Sequence, residues 1–124
     1  MKIVDSCGWI EYLADGPLAD EYASHLEQSD LLITPSIVAY EVYKRILRDT
    51  DRDSALVAAA LISRTHVIAL DAELAMAAAE LSLRYRLPMA DAIVYATGQA
   101  LSSVVVTSDA HFAGLPGVEF VEKP

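Results

Sequence analysis

Five short apolar runs, each too brief for a buried helix, punctuate a chain whose remaining segments carry helical spacing. They are "KIV" at 2–4, "LLIT" at 31–34, "HVIAL" at 66–70, "SVVVT" at 103–107 and "VEFVE" at 118–122. β-branched residues bounded by polar ones read as strands. Between them, "CGWIEYLAD" spaces Trp9, Ile10 and Leu13 for a helix, and "PLADEYASHLEQ" places Leu18, Tyr22 and Leu26 four apart on one face. "PSIVAYEVYKRILRDT" is a third helix, with Thr34 expected to cap it and Pro35 expected at its first position. "DRDSALVAAALISR" is Ala-rich and expected to be mostly buried, Asp71 opens "AELAMAAAELSLRYR", and "DAHFAGL" is a short helical turn. Strands that alternate with helices imply an α/β fold, a three-layer α/β/α sandwich with a central, mainly parallel sheet. Two helices in a row without an intervening strand are read twice, so the chain is not a strict strand–helix repeat. With no linker, repeat or low-complexity tract in 124 residues, residues 1–124 are read as one domain.

One segment resists a purely structural reading. After Pro88 the run "MADAIVYATGQAL" is almost without polar relief, yet Asp91 sits in its first turn. A helix this apolar is buried nearly all round, and neither Leu87 and Pro88 nor Val94 and Tyr95 supplies a cation. Were the helix to begin at Ala92, Asp91 would be its N-cap. Three further acids share its situation. Asp5 and Asp109 follow strand ends, where ligands of such sheets bind, although each could also cap the next helix. Glu41 lies mid-helix, off the apolar face formed by Val38, Val42 and Ile46, where an ion pair with Arg45 is the simpler expectation.

Net charge and composition limit the alternatives. At −9 the chain is ill suited to hold nucleic acid by general electrostatics; bound metal ions would invert the local charge. A hydrophobic content of 54% indicates a globular chain. The longest apolar run, Ala55 to Ile62, falls far short of the roughly 20 residues of a membrane span. Asp5 interrupts any secretory leader, and Cys7 as sole cysteine excludes an internal disulfide and fits a reducing, cytoplasmic setting. His25, His66 and His111 show no metal-ligand spacing and are read as ordinary polar or surface residues. Should Asp5, Glu41, Asp91 and Asp109 converge, their mutual repulsion calls for a divalent ion. Oxygen ligands favour Mg²⁺ or Mn²⁺ over zinc, and such ions serve phosphodiester hydrolysis.

The stretches "IVDSCGWIEYL", "PSIVAYEVYKRI", "LPMADAIVYATG" and "VVVTSDAHF" resemble, in order and spacing, the four acidic motifs of PIN-domain ribonucleases, above all the VapC-type toxins of toxin–antitoxin pairs. The resemblance runs from residue 3 to the final strand. It implies a metal-dependent endoribonuclease with Asp5, Glu41, Asp91 and Asp109 as catalytic metal ligands. It also implies that Ser6 and Thr107 hold waters or orient carboxylates, and that the protein is a homodimer held by a cognate antitoxin. Lys44, Arg45, Arg48, Arg84 and Arg86 are expected to touch RNA phosphates, or else to form a solvated charged face. Two other classes compete. A receiver-type phosphoacceptor would use Asp5, Asp71, Thr107 and Lys123-Pro124, but it needs an acidic doublet after the first strand and a closing helix after the last. A non-catalytic binding module leaves the four acids without a purpose. No Gly-rich phosphate loop is present.

Overall fold

All five expected strands form, and every neighbouring pair is parallel. The computed structural model describes residues 1–124. Strands β1 (Lys2–Val4), β2 (Leu32–Pro35), β3 (His66–Ile68), β4 (Val104–Thr107) and β5 (Val118–Phe120) lie in the order β3-β2-β1-β4-β5. Six helices accompany them: α1 (Ser6–Leu13), α2 (Ala19–Leu26), α3 (Ser36–Asp49), α4 (Arg52–Ser63), α5 (Ala72–Tyr85) and α6 (Met89–Ala100). Together they make the three-layer α/β/α sandwich. No helix is long and apolar enough to cross a membrane.

Burial explains the compositions of the inner strands, while β3 and β5 at the edges are largely exposed. Ile3, Val4, Val105 and Val106 of the two central strands are each at most 1% exposed, as are Val38 and Val42 of α3. Helix α6 is buried at every residue from Ala92 to Gly98, which accounts for its lack of polar relief. It packs against α5, α3 and three of the strands. Gly8 lets α1 approach α2, since a Cβ there would collide with the Tyr22 ring and with Val4.

Four local expectations are corrected. Thr34 does not cap α3 and Pro35 is not its first residue: both belong to β2, and Pro35 itself stands at the N-cap without a side-chain bond. The Thr34 hydroxyl is fully buried against that of Thr65, 2.6 Å away, so it has no access to the helix start. Helix α4 is not mostly buried. Only Ala55, Ala58 and Ile62 are, while Leu56 and Val57 are 46% and 59% exposed, because just one side of the helix meets α3 and β3. Helices follow one another directly three times, not twice, as α1–α2, α3–α4 and α5–α6. Asp91 is the third residue of α6, not its cap; the helix starts at Met89 behind Pro88.

Candidate metal centre

The parallel pairing of β1 with β4 sets Val4 beside Val106, and the next residues of both strands then meet at the carboxyl edge of the sheet. Asp5, which follows β1, caps α1: Ser6 N donates to its Oδ1 at 2.8 Å. Its Oδ2 accepts from Thr107 Oγ1 at 2.9 Å. The same Thr107 oxygen accepts from the Asp109 backbone N at 3.0 Å, so one hydroxyl at the end of β4 ties two acids together. Asp5 is 3% exposed. Burial pushes its carboxyl above the ordinary value, Thr107 and Ser6 pull it back, and the charge of Asp109 adds to the rise.

Asp109 caps the 3₁₀ turn Ala110–Phe112, accepting from His111 N at 2.9 Å, and the fully buried Phe112 anchors that turn. The turn brings His111 Nδ1 within 2.8 Å of Asp109 Oδ1 and 3.3 Å of Asp91 Oδ2. Asp91 is pushed up to about 7, by burial first and then by the charges of Asp109 and Asp5, with His111 acting the other way. Burial also works to raise Asp109, but the backbone and ring of His111 and the carboxyl of Asp91 outweigh it and hold Asp109 low. Glu41, half-buried on α3, is raised by burial and by the charges of Asp5 and Asp109, while the Ser6 hydroxyl opposes the rise.

All four acids therefore share one electrostatic neighbourhood. The tightest group within it is Asp91, Asp109 and His111, whose donor atoms lie within 4.8 Å of one another. Asp5 and Glu41 are not part of that group; Asp5 raises Asp91 by its charge, and Glu41 feels the charges of Asp5 and Asp109. Among the groups that most shift these acids, His111 is the only basic one. A cluster of carboxylates without lysine or arginine, opening on a ring nitrogen, has the donor chemistry of a divalent-cation site.

Two features went unread in the sequence. His111 does not behave as an ordinary surface residue, since its ring meets Asp109 and Asp91, and its spacing of two from Asp109 within "SDAHF" carries no signal of this. A buried polar chain also backs Asp5: Tyr22 OH bonds Ser108 Oγ, and Cys7 Sγ lies 3.5 Å from Thr107 Oγ1. No local pattern signals it, since Tyr22 and Ser108 are 86 residues apart.

Arg45 does not pair with Glu41. Its Nε bonds Asp49 Oδ2 at 2.8 Å and Arg48 Nε bonds Asp49 Oδ1 at 2.7 Å, holding Asp49 at about 2. Lys44 lies over the Tyr40 ring and Arg84 over that of Tyr85. Arg86 ends α5 in the left-handed conformation (φ 57°), which turns the chain toward α6. Arg45 and Asp49 also line a groove of about 350 Å³ between α1, α3 and α4, with Ile10, Leu13, Ile46 and Val57; it includes none of the four acids. Asp71 is exposed and caps α5 through Leu74 N at 2.8 Å.

The PIN domain family model matches residues 2–118. No curated protein matches the chain. Among solved structures, a toxin-antitoxin complex from Klebsiella pneumoniae superposes with TM-score 0.82 at 25% identity, covering 99% of this chain and 100% of its counterpart. The Mycobacterium tuberculosis toxin VapC20, described as cleaving the sarcin-ricin loop, gives 0.77 at 21% identity over 99% and 98% of the two chains. DNA-bound VapBC from Salmonella typhimurium gives 0.76 at 17%, over 98% of each.

Proposed function

The chain belongs to the PIN domain family, and from that membership and its acidic centre we propose that it is a metal-dependent endoribonuclease, the toxin of a toxin–antitoxin pair. The observation that carries this reading is the gathering of Asp5, Glu41, Asp91 and Asp109 from four separate elements into one neighbourhood lacking any lysine or arginine partner. A receiver-type reading loses its ground, since Asp71 is committed to capping α5.

Asp91, Asp109, Asp5 and Glu41 would hold Mg²⁺ or Mn²⁺. A divalent ion held there neutralises the acids, polarises a phosphodiester and makes water a stronger nucleophile near neutral pH. The Thr107 hydroxyl and the Ser6 backbone N–H keep Asp5 in one orientation, and the Ser6 side chain lowers Glu41 against the effect of burial. In-line attack leaves a 5′-phosphate and a 3′-hydroxyl. The groove between α1, α3 and α4 offers a cognate antitoxin an apolar seat. The exposed side chains of Met76, Leu83 and Met89, at 64%, 86% and 74%, suit a homodimer contact.

Incubating purified protein with RNA in Mg²⁺ or Mn²⁺, against a chelator control, tests the reading. Asp5→Asn and Glu41→Gln should each lower cleavage about a hundredfold. Asp109→Asn should be partial, as an amide oxygen still binds a metal or its water, and Asp71→Asn should match the wild type. Undiminished cleavage in chelator would sink the proposal.

RNA contact by Arg45 and Arg48 requires them to leave Asp49. Replacing both with Ala should weaken binding and reduce the salt slope by about one for each phosphate no longer neutralised. Asp49→Asn, which frees both guanidiniums, should instead tighten binding at low salt. Equal salt slopes in all three proteins would make these arginines a solvated face.

A further inference from the structure

His111 contributes the single nitrogen donor in a centre whose other donors are carboxylate oxygens. Its ring is 54% exposed, yet it is not free to wander. The 3₁₀ turn fixes its backbone, whose N–H bonds Asp109 Oδ1 at 2.9 Å, and the neighbouring Phe112 is fully buried. Nδ1 consequently faces the gap between Asp109 Oδ1 at 2.8 Å and Asp91 Oδ2 at 3.3 Å. A ring nitrogen in that position has two uses. It can carry a proton between the carboxylates, or it can offer its lone pair to a cation that replaces the proton.

We propose that His111 is a metal ligand beside Asp91 and Asp109, and that its nitrogen biases the centre toward Mn²⁺ over Mg²⁺. The inference rests on the metal-dependent reading above and adds a ligand and a preference to it. Imidazole nitrogen suits first-row transition ions, whereas Mg²⁺ takes oxygen ligands and gives up its waters reluctantly. An all-carboxylate centre discriminates weakly between these ions, so the nitrogen decides the choice. Coordination through Nδ1 requires the tautomer with its proton on Nε2. The ring must also turn only slightly, because the three donor atoms already lie within 4.8 Å of one another.

Calorimetric titration with Mn²⁺ and with Mg²⁺ tests the preference in the wild type, His111→Ala and His111→Gln, with melting in chelator as the check on folding. Removing the ring should weaken Mn²⁺ binding about tenfold to a hundredfold while changing Mg²⁺ binding about threefold or less. Spin-echo spectroscopy of Mn²⁺ bound to protein labelled with ¹⁵N-histidine supplies a signature independent of any variant. A ¹⁵N coupling should be present in the wild type and absent from His111→Ala. Bound Mn²⁺ without that coupling, or equal weakening of both ions in the variants, would overturn the proposal and leave His111 as a proton-bearing brace for Asp109. A wild type that binds neither ion would overturn this inference and the metal-dependent function together.

Discussion

Asp91→Asn should lower RNA cleavage about a hundredfold or more, as loss of a metal ligand does, and should reverse its effect on stability between two buffers. In chelator at pH 8 the variant should melt at or above the wild type, because one charge has left a cluster in which Asp109 and Asp5 already oppose the ionisation of Asp91. In millimolar Mn²⁺ it should gain much less than the wild type. An ion that binds only the folded state raises stability by RT ln(1 + [L]/Kd), about 2.7 kcal/mol at a hundredfold excess over Kd. That is several degrees in a domain of this size. Parallel melting shifts in both buffers would remove Asp91 from the metal site.

The same chemistry fixes a pH trend for the metal-free protein. Asp91 titrates at about 7 when folded, against roughly 3.9 for an unfolded aspartate. Across that window the folded chain keeps a proton that the unfolded chain has released, so stability falls as pH rises and the full penalty is present above 7. Asp5 and Glu41, also raised, act in the same direction. Asp109, held low, acts in the opposite direction only below the ordinary aspartate range, and so does not offset the trend between pH 5 and pH 8. The net expectation is a higher melting temperature at pH 5 than at pH 8 in chelator. Asp91→Asn should flatten the trend, and saturating Mn²⁺ should reverse it, since the ion selects the ionised acids.

Thr107→Val is expected to damage both stability and catalysis although it barely changes side-chain volume. The Thr107 hydroxyl donates to Asp5 Oδ2 and accepts from Asp109 N, and the residue is fully buried. Valine leaves a buried carboxylate short of a donor and a backbone N–H short of an acceptor. Each unsatisfied group costs about 1–3 kcal/mol, so a melting temperature lower by several degrees is expected at pH 8. The Thr107 hydroxyl is also the strongest influence holding the Asp5 carboxyl down. Without it Asp5 rises further, so the loss in stability should shrink on acidification to pH 5. Cleavage should fall about tenfold to a hundredfold, and Thr107→Ser, which restores the hydroxyl, should recover most of both properties. A pH-independent loss of stability would mean that Thr107 matters through packing alone.

The strands were legible because β-branched runs such as "SVVVT" have few other uses, and Asp91 was legible because it breaks an apolar pattern that burial explains. His111 was not. Its ring reaches the acids through the 3₁₀ turn that Phe112 anchors, and a spacing of two residues carries no helical or metal-site signature. Sequence spacing leaves the partner of Arg45 open for a related reason. Asp49 and Glu41 both lie four residues from it, and sequence distance does not choose between them; Asp49 takes the guanidinium because Glu41 is half-buried toward Asp5. The exposed side of α4 was missed since an Ala-rich run looks buried whichever face is covered.

The pairing of β1 with β4 also dictates when the centre comes into being. Asp5 and Thr107, joined by one hydrogen bond, are 102 residues apart in the chain. Residue 5 leaves the ribosome 102 residues ahead of residue 107. Closing so long a loop is slow compared with forming the local helix pairs that precede it. While the intervening residues are made, the nascent chain carries Asp5, then Glu41 and Asp91, without the Thr107 and Asp109 that complete the centre. For an enzyme proposed to attack RNA, the gap between Asp5 and Thr107 acts as a timer: the catalyst cannot be assembled until the ribosome has passed the end of β4.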